Sequence, residues 1–168
     1  MQVALLAERM AGVLGADSKK AYVAGILHDI AKEMTGEELL HVCKTEGIKL
    51  SAVEENNTVL LHAPVGAHII KDLGIDDEEI INAVRYHTVG RAGMSLLEKI
   101  IYLADMIEPG RSFPEALELR EIWEKDFDEA FTRSLKYSIL WNVSEGKLID
   151  KGTVDAFNDM ILERMVNK

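Results

Sequence analysis

The stretch "AYVAGILHDIAKE", residues 21–33, has the apolar spacing of a helix around an adjacent histidine and aspartate, His28 and Asp29. At about 100° per residue, Tyr22, Val23, Ile26, Leu27 and Ile30 share one arc, while His28, Lys32, Gly25 and Asp29 share the opposite one. The first arc is expected in a core and the second on another surface, with Lys32 beside the pair. Gly25 lies one turn earlier and is expected to leave room for that surface, since glycine inside a helix costs about 1 kcal/mol against alanine. A carboxylate set in so apolar a stretch is costly without a partner.

The same period extends in both directions. Val3, Leu6, Ala7, Met10 and Val13–Leu14 predict a first helix that breaks near Gly15, and Asp17 or Ser18 caps a second over 19–32. Thr35 with Glu38 reads as a capping box for a helix that stops at Gly47. Residues 47–61 are expected as a loop or short helix. Pro64 heads a helix ended by Gly74, and Asp76–Asp77 opens the next, over "DEEIINAVRYHT". Ser95 with Glu98 opens "LLEKIIYLADMIE", closed by Pro109–Gly110. Residues 114–168 carry two or three amphipathic helices separated near Gly146 and Gly152. No segment alternates as a strand would. An all-α fold is expected, one domain over 1–168, with the motifs in 22–111 and helices in 114–168 completing the bundle.

Of 168 residues, 48% are hydrophobic and 29% charged, which places the chain among globular proteins. A net charge of −10 argues against a general nucleic-acid surface while leaving room for a local basic pocket. Cys43 is alone, so an internal disulfide is excluded and a reducing cytosol fits. No stretch is apolar enough to span a membrane and no signal peptide is evident, so a soluble cytoplasmic protein is expected.

Three further residues give the His–Asp pair company. His62 precedes Pro64 at a helix head, His87 follows Ile80 and Val84 on an apolar face, and Asp105 interrupts "IIYLADMI". Ionisable groups turned inward from separate helices would most naturally share an ion. Imidazole with carboxylate suits iron, manganese, zinc or a similar metal, and an Asp beside a His can bridge two ions.

The ordered set His28-Asp29, His62, His87, Asp105, with "AGILHDIAK", "LLHAPVGAHII", "AVRYHTVGRAGMSLLEKIIYLADMIEPGRSFP" and "ELR" at 118–120, resembles the HD superfamily of metal-dependent phosphohydrolases. Within it the text is similar to the YqeK-like symmetrical diadenosine tetraphosphate hydrolases. The resemblance implies a helical bundle around two metal ions, iron foremost, with manganese, cobalt or zinc as alternatives. His28, Asp29 and Asp105 would serve one ion and Asp29, His62 and His87 the other. Asp29 and Lys32 would act in catalysis, Lys32, Arg91 and Arg111 would face phosphate, and Thr88 and Gly90 would shape the loop that carries Arg91. The substrate would be a dinucleoside tetraphosphate cleaved into two nucleoside diphosphates. A homodimer is in keeping with the family; nucleic-acid and membrane partners are not. The superfamily also carries a metal-binding histidine on its first helix, and the register of Val3 puts that position two residues before Met1, as if the chain were shortened there. Two other readings follow: a different nucleotide phosphohydrolase, or a non-catalytic metal- or nucleotide-binding module lacking that histidine.

Other conspicuous residues are expected to be structural. His41 lies on an amphipathic helix without a nearby ligand partner, His68 stands outside the ligand set, and Cys43, Trp123 and Trp141 are expected to pack in the core. G-x-x-x-x-G-K-[ST], G-x-S-x-G, H-E-x-x-H and C-x-x-C are all absent, which leaves those chemistries without support.

Overall fold

In the computed structural model, which describes residues 1–166, the elements are α-helices and one 3₁₀ turn, with no strand among the described residues. They are α1 (Gln2–Leu14), α2 (Ser18–Leu27), α3 (Gly36–Thr45), α4 (Ala52–Asn56), a 3₁₀ turn (Thr58–Leu61), α5 (His62–Asp72), α6 (Glu78–Tyr86), α7 (Leu96–Ile107), α8 (Pro114–Ile122), α9 (Phe127–Ser144) and α10 (Lys151–Val166). Helix starts follow local chemistry. The Thr35–Glu38 and Ser95–Glu98 capping boxes are both formed, and Asp17 and Asp77 accept backbone N–H bonds at the heads of α2 and α6.

α7 is the axle of the bundle. Leu97, Ile100, Ile101, Leu103, Ala104 and Ile107 are buried, and the helix touches α1, α2, α6, α8 and α9. A smaller core of Ala31, Leu39, Cys43, Leu61 and Val65 ties α3 and α5 to the chain after α2. No helix among the described residues is long and apolar enough to cross a membrane.

α2 departs from expectation twice. It ends at Leu27 rather than Lys32, and residues 28–34 turn, so His28 stands at the helix end and Asp29 beyond it. Its buried face is also the opposite one. Ala21, Ala24, Gly25 and His28 are buried, while Ile26 and Ile30 are 41% and 38% exposed. The cause is the approach of α1: a Cβ built on Gly25 would lie 2.6 Å from Ala4 Cα and 3.0 Å from Ala4 N. Gly25 therefore makes room for a neighbouring backbone, and small residues win over large ones because only they let the two helices meet.

The C-terminal part holds three helices. Gly146 separates α9 from α10, whereas Gly152 lies within the first turn of α10. α9 buries Phe127, Ala130, Phe131 and Leu135, then runs on into solvent. Trp123 is core as expected, but Trp141 is 55% exposed, with Lys147 Nζ 3.9 Å from its ring centre. Lysine over the indole offsets part of that exposure.

Candidate metal centre

Helix ends leave carbonyls without intrahelical partners, and here histidines take them. His28 at the end of α2 donates Nδ1–H to Gly25 O (2.8 Å), and His87 at the end of α6 donates to Val84 O (2.8 Å). His62, the first residue of α5, donates to Val59 O of the 3₁₀ turn (2.5 Å). In each ring the bond puts a proton on Nδ1 and aims Nε2, whose lone pair can bind a metal once any proton there has left, as carbonyl partners of ligating histidines do.

Those nitrogens converge. His28 Nε2 lies 3.2 Å from Asp29 Oδ2 and 3.7 Å from Asp105 Oδ1. Asp29 Oδ1 lies 3.3 Å from His62 Nε2 and 3.7 Å from His87 Nε2. The structure thus brings together all five residues singled out from the sequence, from α2 and its following turn, α5, α6 and α7. Two trios have their donor atoms within 4.8 Å of one another: His28, His87 and Asp105, and Asp29, His62 and His87. The grouping differs from the expected one in a single place, because His87 belongs to both trios. Asp29 still stands between them, offering one oxygen to each side.

The electrostatics demand a cation. The Nε2 atoms of His62 and His87 are 3.1 Å apart, and with both Nδ1–H groups already spent the two lone pairs face each other. Burial pushes the His87 pKa down, which keeps that ring neutral. His28 Nε2 and Asp29 Oδ1 are buried without a hydrogen-bond partner. Burial also acts to lower the His28 pKa, but Asp105 and Asp29 outweigh it and push it up to about 9. Asp29 and Asp105 are held well below the usual carboxylate range despite burial, Asp29 mainly by His28 and His62, Asp105 mainly by His28. Orphaned donors of nitrogen and oxygen around a shared carboxylate suit a divalent ion.

The cations expected to face phosphate divide. Lys32 Nζ is 2.6 Å from Asp29 Oδ2 and is solvent-exposed, so it stands at the rim of the cluster. Arg111 Nη2 donates to Asp105 Oδ1 (2.8 Å) and its Nε to Asp105 O (3.1 Å). Arg91 is engaged elsewhere: it clasps buried Glu98 with Nε and Nη2 (2.7 and 3.0 Å) and lies over the Tyr86 ring. Thr88 Oγ1 is buried and unpartnered next to His87. Gly90 adopts φ +70°, a turn conformation that suits glycine. His68 pairs with Glu46 and Asp72 outside the cluster, His41 is exposed, and Cys43 is buried.

Sequence reasoning passed over Arg120. Its guanidinium gathers the carbonyls of Ile107 (2.6 Å), Arg111 (2.5 Å) and Glu108 where α7 ends, and so holds the turn from which Arg111 reaches Asp105. The sign available was an arginine within the "ELR" text at 118–120; its partners are backbone atoms, which no side-chain pattern reports.

Comparison with known proteins agrees with this geometry. The HD domain family matches residues 1–110. The symmetrical bis(5'-nucleosyl)-tetraphosphatase of Bacillus subtilis is 41% identical over 157 residues, covering 93% of this chain and 82% of that protein. The protein so named from Halalkalibacterium halodurans is 38% identical over 156 residues, covering 92% and 83%. The crystal structure of an HD superfamily hydrolase from Clostridium acetobutylicum, described as involved in NAD metabolism, superposes with a TM-score of 0.92 at 40% identity, covering 96% of this chain and 86% of that one. HD domains bind divalent metal, and the helical bundle, the two donor trios and these relatives place the chain in the HD superfamily, on the branch of the symmetrical bis(5'-nucleosyl)-tetraphosphatases.

Proposed function

We propose that this chain hydrolyses diadenosine tetraphosphate symmetrically, giving two molecules of ADP. The observation that carries the reading is Asp29 with one oxygen toward His28 and the other toward His62 and His87, in a chain 41% identical to an enzyme named for this activity. His28, Asp29 and Asp105 would hold one ion and Asp29, His62 and His87 a second, since the two Asp29 oxygens can serve both ions whereas the single His87 Nε2 lone pair can serve one; iron is foremost, with manganese, cobalt or zinc also suited to such donors. Bound there, the cations supply Lewis acidity and make water acidic enough to attack phosphorus near neutral pH.

The chain's own residues do the rest. Asp29 and Lys32 form the catalytic pair: the carboxylate orients the donors around it, and the Lys32 ammonium stands where charge grows on the phosphoryl oxygens. Arg111, part-exposed beside Asp105, offers planar donors to a second phosphate. Thr88 presents an unspent hydroxyl. Gly90 lets the loop turn, and Arg91, clasped by Glu98, would keep it in shape rather than hold phosphate in this conformation. The whole of residues 1–168 is read as one domain.

Incubating the metal-loaded protein with diadenosine tetraphosphate and separating the nucleotides tests the reading. ADP as the sole product is expected; ATP with AMP, or no turnover while guanosine tetraphosphate is consumed, overturns it.

A further inference from the structure

His87 is the residue shared by both trios, and a chain of part-buried hydrogen bonds that ends in a buried one brackets it on both sides. Two residues before it, Arg85 Nη1 donates to Glu54 Oε1 (2.7 Å). Glu54, 2% exposed, also accepts Ser51 N–H (2.8 Å), and Ser51 Oγ donates to Asp150. Asp150, itself buried, accepts Gly152 N–H (2.7 Å) at the start of α10. Two residues after His87 the chain closes, where Thr153 Oγ1 donates to Val89 O (2.7 Å). Gly152 presses on the same loop: a Cβ there would come within 2.5 Å of Gly90 O. Farther along α10, Asp159 accepts Gly93 N–H (2.7 Å).

We infer that Thr153 and Asp150, which lie beyond the residues matched by the HD domain family, are positioning residues for the metal centre. They tie the loop after His87 to α4 and α10 and thereby set the aim of the His87 ring and the Thr88 hydroxyl. Val89 O would otherwise be a buried acceptor in need of a partner, and such groups hold geometry best inside a satisfied network. The glycine in the first turn of α10 fits the same arrangement, for the residue there must let Gly90 O approach and clear Asp150 Oδ1. The inference rests on the metal-centre reading above, and its test separates the two.

Co²⁺ is the probe, read by visible absorption of the loaded protein and by titration. Thr153→Val, which deletes the hydroxyl and keeps the shape, should weaken Co²⁺ binding by up to about 10-fold and alter the d–d bands, the low end of the loss that follows removal of a ligand's own partner, because Thr153 acts on His87 through the loop. Thr153→Ser should restore both. Thr132→Val supplies the structural control, since the buried Thr132 donates its hydroxyl to a main-chain carbonyl in the same way, Asp128 O (2.6 Å), away from the site. It should lower the melting temperature and leave Co²⁺ binding as in the wild type. Wild-type Co²⁺ affinity and spectrum in Thr153→Val overturn the inference, as does a serine variant that restores neither. A wild-type chain that takes up Co²⁺ but makes no ADP sinks only the proposed activity; one that takes up no Co²⁺ sinks both.

Discussion

Metal uptake by this chain is expected to expel protons, with His28 as the main source. In the metal-free protein the carboxylates of Asp105 and Asp29 hold the His28 pKa up at about 9. A metal needs the free Nε2 lone pair, so proton and cation compete for it. At pH 7, two units below that value, about one ring in a hundred is unprotonated, which weakens binding at the His28 trio about 100-fold, or about 2.7 kcal/mol. The sign follows: affinity should rise close to tenfold per pH unit between about pH 7 and 9 and level off above. Titrating Co²⁺ calorimetrically in two buffers of different ionisation enthalpy gives the proton count, with close to one proton released at pH 7 from this ring for the one ion that His28 binds. An affinity flat from pH 7 to 9, with no buffer dependence, refutes the reasoning.

Other outcomes follow from the same geometry. Gly25→Ala forces α1 away, because its Cβ would meet Ala4 Cα at 2.6 Å; overpacking of about 1–3 kcal/mol should lower the melting temperature by about 2–12 °C, read by thermal denaturation. Lys32→Ala, at an exposed position, should leave the melting temperature almost unchanged while turnover falls about 100-fold. Arg120→Gln removes the clasp on three carbonyls, so ADP formation should fall about 10–100-fold with a rise in KM, and in a double variant with Arg111→Ala the two losses should not add. Trp141→Glu should cost less than about 0.5 kcal/mol in denaturant unfolding, since the ring is mostly in solvent.

Legibility in the sequence tracked the range of the forces involved. Capping boxes at Thr35–Glu38 and Ser95–Glu98 were readable because each is settled within four residues. The buried face of α2 was not, because apolar size named Ile26 and Ile30 while the approach of Ala4, about twenty residues away, selected Ala21, Ala24 and Gly25. Trp141 misled for the same reason: its helix is amphipathic along its length, yet the core stops near Leu135. The five residues that converge stood out as inward-facing ionisable groups and through their family text. The clasp between Arg91 and Glu98 was not legible, since Glu98 was visible only as a helix cap.

Because the imidazoles of His28, His62 and His87 are each anchored by main-chain oxygen from their own local segment, none relies on the others for its direction. The receptacle is built before any guest arrives. Little reorganisation should accompany loading, and removing one ring should leave the remaining two aimed as they were.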